Sequence, residues 1–126
     1  MIVAGFGCRS SATELSLRNA LERTGMAGDV AALASVSDKT ELAAMQDISK
    51  ALNLPLYSID QSALPTASTQ TDSPLVRRLR HTGSVAEASA LLAAGPGAEL
   101  LCARVVSDDR LATCAIASAA TKKESP

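Results

Sequence analysis

Apolar positions recur with two different periods along the chain, and the alternation predicts the order of its elements. Ile2–Phe6 is a short apolar run ending at Gly5-Phe6-Gly7, which predicts a buried strand closed by a tight turn. Ser11-Ala12-Thr13-Glu14 has the spacing of a capping box, and Leu15, Leu17, Ala20 and Leu21 then supply the apolar face of a helix ending near Gly25 and Gly28. A second buried strand is expected over 29–35. Ser37 or Asp38 then caps a helix with the stripe Leu42, Met45, Ile48 and Leu52, closed by Asn53 and Pro55. Leu56–Ile59 reads as a third strand. Residues 61–73 break the rhythm, being rich in Ser, Thr, Gln and Pro, and a loop of that length in a small domain points to function or mobility.

Later segments return to the pattern. A short helix is expected over 74–80 and a turn at Thr82-Gly83. Ser84-Val85-Ala86-Glu87 is a second capping-box sequence, opening a helix with Val85, Ala88, Leu91 and Leu92 that stops at Gly95-Pro96-Gly97. Strands over 99–105 and 111–117, joined by Ser107-Asp108-Asp109-Arg110, predict an antiparallel hairpin. Alternating strand and helix from the N-terminus imply parallel pairing. The expected fold is therefore α/β, a mixed and mostly parallel sheet flanked by helices, with a C-terminal antiparallel hairpin. Residues 1–118 are expected to form one domain, and 119–126 a polar disordered tail.

Composition narrows what such a domain does. Hydrophobic residues are 47% of the 126 and aromatics only 2%, which excludes an aromatic platform for stacking bases or sugars. A net charge of −1 provides no global field for nucleic acid or an acidic membrane. No apolar run reaches the ~20 residues that a bilayer demands. The first residues lack the flank of a signal peptide, so a cytoplasmic protein is expected. Three cysteines without C-x-x-C spacing and a single histidine, His81, argue against a disulfide scaffold or a metal site.

Ligands of open α/β sheets bind beyond the carboxyl ends of the strands. The segment Gly5–Ser11 is expected there, with glycines permitting close backbone approach, free helical N–H groups favouring an anion, and Arg9 offering a forked donor to a carboxylate or phosphate. Lys39 and Thr82-Gly83-Ser84 extend the same edge, and Arg77, Arg78, Arg80 and His81 add a basic segment. The glycines do not form a dinucleotide fingerprint, since Ser10 stands at the third glycine position and Ser35 where an acidic ribose ligand would end the second strand. The P-loop spacing fails too. No nicotinamide or nucleotide cofactor is expected. Cys8 beside Arg9 is a possible nucleophile, its expected place in a turn before a helix being one that lowers thiol pKa; Ser10 and Thr82 are the other catalytic candidates.

These segments, in this order, resemble a known family. Gly5-Phe6-Gly7-Cys8-Arg9 is similar to the G-x-G-C-R opening of the CobE and CbiG C-terminal domain family of cobalamin biosynthesis. Val30–Ser35 followed by Lys39, then Leu52-Asn53-Leu54-Pro55-Leu56, resemble its second strand, lysine-bearing turn and L-G-L-P-L segment. Gly83-Ser84-Val85-Ala86-Glu87-Ala88 matches its G-S-V-A-E-A motif. The chain departs from the pattern at Ser11, where a glycine is usual, at Ser37 in place of an Asp, and at Leu42 in place of an acidic residue.

The resemblance implies a role on the corrin ring, whose precursors carry many acetate and propionate arms. Joined to the residue reading, it gives Gly5, Gly7, Cys8, Arg9, Ser10, Ser11, Ser35, Lys39, Thr82, Gly83 and Ser84 as candidate ligand contacts, gripping carboxylates rather than cobalt. Two-domain CbiG-like proteins open the lactone of cobalt-precorrin-5A and release acetaldehyde. This chain begins at the C-terminal domain's first strand, so the standalone CobE type is expected. Three functions follow: binding of an acidic precorrin or hydrogenobyrinic acid-like intermediate, hydrolysis of a precorrin lactone, or docking on another enzyme of the corrin pathway.

Overall fold

Strand β1, Ile2–Cys8, lies at the middle of a five-stranded sheet and sends alternate residues to opposite faces. The computed structural model describes residues 1–67, 69, 78 and 84–119. Strands β2 (Ala32–Val36) and β3 (Leu56–Ile59) extend the sheet in parallel on one side of β1. On the other side β5 (Ala112–Ala119) pairs antiparallel with β1, and β4 (Ala98–Val106) pairs antiparallel with β5. The order is β3-β2-β1-β5-β4. This is the mixed, mostly parallel sheet with a C-terminal antiparallel pair that the sequence predicts.

Helices cover both faces. Helix α1 (Glu14–Arg23), helix α2 (Ser37–Thr40) and helix α3 (Ala43–Leu52) follow β1 and β2, and helix α4 (Val85–Ala94) precedes β4. Leu17 and Leu21 of α1 and Met45 and Ile48 of α3 join Ala4, Phe6, Leu33 and Ile116 in the larger core. The other face holds Val3, Ala32 and Ala34 against Ala93 and Ala94 of α4, with Val36, Leu64 and Ala88 beside them. Buried side chains are therefore mostly large on the α1–α3 face and mostly small on the α4 face, where Leu64, Val36 and Val3 are the larger ones.

Several boundaries differ from expectation, each for a physical reason. β1 runs straight through Gly5-Phe6-Gly7 to Cys8, because these residues pair with Ala115, Cys114, Thr113 and Ala112 of β5. The expected tight turn there is not formed. The cap of α1 is Thr13 rather than Ser11: Thr13 Oγ1 accepts from Ser16 N at 3.2 Å, and Ser16 Oγ accepts from Thr13 N at 3.1 Å. Leu15, two residues from buried Leu17 and so on the other side of α1, lies outside the core at 74% exposure. Residues 27–29 coil into a 3-10 turn before β2 begins. The helix expected from Ser37 is broken between Thr40 and Ala43, so α2 and α3 are separate. Asn53 closes α3 in the left-handed conformation, at φ 56°. Gln61–Thr66 is a 3-10 helix that buries Leu64, where a featureless loop was expected. The expected helix over 74–80, apart from Arg78, and residues 120–126 of the expected tail lie outside the described residues, whereas Ala119, placed in that tail, is the last residue of β5.

Candidate functional site

The parallel strands β1, β2 and β3 all end on one rim, at Cys8, Val36 and Ile59. Two antiparallel steps bring the end of β4 and the start of β5 to the same rim. The N-terminus of α4 arrives there as well: a Cβ on Gly7 would lie 3.6 Å from Val85 Cβ and 3.7 Å from Ala86 N. Arg9, Ser10 and Ser11 follow β1 and are exposed, while Lys39, half-buried, follows β2 within α2. Ser84 caps α4, its Oγ accepting from Glu87 N at 3.2 Å. The topology thus brings Arg9, Lys39 and Ser84 to one edge, whereas Thr82 and Gly83 lie outside the described residues.

The segment carrying Arg9 is tied down by the β4–β5 turn. Arg9 N donates to Leu111 O at 2.9 Å, and Ala12 N donates to Arg9 O at 3.0 Å. Within the turn, Asp109 accepts from Ser107 Oγ at 2.6 Å, from Leu111 N at 3.0 Å, and from Ser16 Oγ of α1 at 2.6 Å. These donors, Ser107 foremost, hold the Asp109 carboxyl below the usual carboxylate range. Beside the turn, Arg23, Val105, Val106, Ser107, Asp108 and Arg110 line an open groove of about 380 Å³, with Arg23 Nη1 at 2.7 Å from Asp108 Oδ1. Neither Asp109 nor this groove is evident from sequence, because the turn's polar residues carry the same signal as any hairpin connection.

Other candidates are occupied structurally. A Cβ on Gly5 would fall 2.1 Å from Ala86 O and 2.5 Å from Ala90 N, so the clearance at this glycine is filled by α4. Ser35 is fully buried and donates to Phe6 O at 2.7 Å. Cys8 is the last residue of β1, and α1 begins only at Glu14, so it does not occupy the helix-start turn expected of it. It packs against the core of the α1–α3 face, on the opposite side of the sheet from the α4 N-terminus. Cys102 and Cys114 lie against the same core, and burial pushes both thiols above their ordinary range, Cys114 the more strongly. Glu87, buried on α4, was legible only as a capping residue. Its Oε2 accepts from Arg104 N at 2.8 Å, in the part of β4 where the ladder with β5 shifts register. Among the described residues there is no group of three or more His, Cys, Asp or Glu placed to hold a metal, and no helix long and apolar enough to cross a membrane.

Comparison with known proteins points in one direction. A family model described as the cobalamin synthesis G C-terminus matches residues 2–117. No curated protein matches. Among solved structures, CobE, a protein from the cobalamin (vitamin B12) biosynthetic pathway, is 32% identical, with 93% of this chain and 89% of that one covered and a TM-score of 0.82. The cobalamin biosynthesis protein chiG from Agrobacterium tumefaciens is 34% identical, with 95% and 99% covered and a TM-score of 0.72. A cobalamin biosynthesis protein G homolog from Sulfolobus solfataricus shares the fold at 19% identity and a TM-score of 0.68, with 92% of this chain but only 36% of that one covered.

Proposed function

Since the chain belongs to the cobalamin synthesis G C-terminus family and is a protein of cobalamin biosynthesis, we propose that it binds an acidic tetrapyrrole intermediate of that pathway along the carboxyl rim of its sheet. The observation that carries this reading is the convergence of Arg9, Lys39 and the N-terminus of α4 on one rim. A guanidinium grips a carboxylate through two parallel hydrogen bonds, an ammonium adds a point charge, and a helix start offers unpaired N–H groups. Acid arms spread around a macrocycle suit donors spaced along an edge better than donors gathered in one deep pocket. Binding is favoured over lactone hydrolysis because Cys8, the thiol among the catalytic candidates, is turned to the opposite face.

The test is an absorbance titration of the full chain with an octacarboxylate porphyrin, with its octamethyl ester as control. Binding of the acid and not of the ester is expected, with affinity falling as salt is raised. Arg9→Ala should weaken binding roughly tenfold or more, the loss of one charge-assisted contact. Equal binding of acid and ester would overturn the proposal.

A further inference from the structure

We propose that Asp109, in the β4–β5 turn, is the positioning residue that fixes how the segment 9–13 presents Arg9 at the rim, an inference that rests on the rim-binding reading above. Both ends of that segment lead to this one carboxylate. At the start, Arg9 N donates to Leu111 O at 2.9 Å, and Leu111 N in turn donates to Asp109 Oδ1 at 3.0 Å. At the far end, Thr13 N donates to Ser16 Oγ at 3.1 Å, and Ser16 Oγ donates to Asp109 Oδ2 at 2.6 Å. The turn itself is braced by the same group, since Ser107 Oγ donates to Oδ1 at 2.6 Å and accepts from Ala112 N at 3.1 Å. Arg110, the next residue, holds a left-handed φ of 61°, which a side-chain-bearing residue keeps only when its surroundings fix it.

The chemistry explains why a carboxylate stands here. Three donors converge, two from the turn and one from α1, and only an ionised carboxylate accepts all of them while offering no hydrogen of its own. Asn at this position would present an amide hydrogen toward Ser16 or Leu111. With Asp109 in place, the exposed segment of Arg9, Ser10 and Ser11 is ordered before any ligand arrives, so the cost of ordering it is not charged against binding. Without Asp109, Arg9 keeps its charge but not its place.

The experiment uses the full chain and four variants: Asp109→Ala, Ser16→Ala, Arg9→Ala and the double variant Arg9→Ala/Asp109→Ala. Amide hydrogen exchange over residues 9–13 is followed by NMR without ligand, and affinity is measured with the octacarboxylate porphyrin. Asp109→Ala is expected to speed exchange at the Arg9 and Ala12 amides and to weaken binding roughly fivefold, the cost of ordering about one residue. In the Arg9→Ala background it should cost nothing further, which a merely structural role would not reproduce. Ser16→Ala removes the α1 tie to Asp109 together with the bond from Thr13 N, and should both speed exchange at Thr13 and weaken porphyrin binding even if Asp109→Ala fails to fold. Unchanged exchange at Arg9 in Asp109→Ala, unchanged affinity in Ser16→Ala, or an equal affinity loss with and without Arg9 would overturn the inference. Should the native chain take up no porphyrin, the rim-binding reading falls, while the exchange data still uphold or remove the link from Asp109 to Arg9.

Discussion

The two faces of the sheet are built on opposite terms. On the α1–α3 face, Phe6, Leu17, Leu33, Met45, Ile48 and Ile116 fill the space between layers with large, fully buried side chains. On the α4 face, Gly5 meets the backbone of Ala86 and Ala90 directly, Val3, Ala32 and Ala34 lie beside it, and Val36 and Leu64 pack with Ala88. The first face derives its stability from apolar volume; the second depends on the absence of volume, which lets a helix approach the strands closely. The difference matters for the site, because the face without volume is the one that brings a helix N-terminus to the rim beside Arg9 and Lys39.

This contrast is easiest to break by deleting on one face and adding on the other. Phe6→Ala should cost about 3–5 kcal/mol in denaturant unfolding, the transfer and cavity terms of a fully buried aromatic. Gly5→Ala, an addition of one methyl group, should cost about 3 kcal/mol, since the new atom meets backbone that cannot rotate away. The reverse change on the helix, Ala90→Gly, should cost only about 1 kcal/mol, mostly lost helix propensity. A deletion there as damaging as Phe6→Ala would contradict the contrast. Gly7→Ala sharpens it further. The close neighbour of a Cβ at Gly7 is Thr113 Oγ1, at 2.7 Å, a side chain able to swing aside from its bond to Gly7 O, so the net change should lie within about 1 kcal/mol.

Acid should produce the mildest effect. The carboxyls of Asp109 and Asp60 are held below their ordinary value of 3.8, Asp60 by the backbone N–H and then the hydroxyl of Ser62. A depressed carboxyl contributes stability that is complete above its unfolded pKa and is lost as pH falls below it. Melting temperature should therefore be level through neutral pH and decline below about pH 4, with Asp109→Ala flattening part of that decline.

Most of the architecture was legible from the periodicity. The three parallel strands, the three long helices and the closing hairpin lie within a few residues of their expected positions, because each buries an apolar face of its own period. What misled was Gly5-Phe6-Gly7. Glycines two apart in a strand signal a turn and a docked helix equally well, and the partners that decide between them, Ala86 and Ala90, stand some eighty residues away. The cap of α1 failed for a related reason. Ser11–Glu14 and Thr13–Ser16 compete locally, and the Thr13 cap is the one whose Ser16 hydroxyl also meets Asp109 across the fold. For the site, charge and strand order placed Arg9 and Lys39 on the rim, but nothing in the sequence joined either to the β4–β5 turn.

The place of β5 has a consequence for how the molecule is made. It fills the gap between β1 and β4, yet it is the last strand to leave the ribosome. Until residue 119 has emerged, β1 presents an open edge, and the pairing of Ile2 with Ser118 must wait for all the residues between them. Folding of this sheet is thus held back until β5 has been made, and a chain cut short before β5 lacks its central seam rather than its margin.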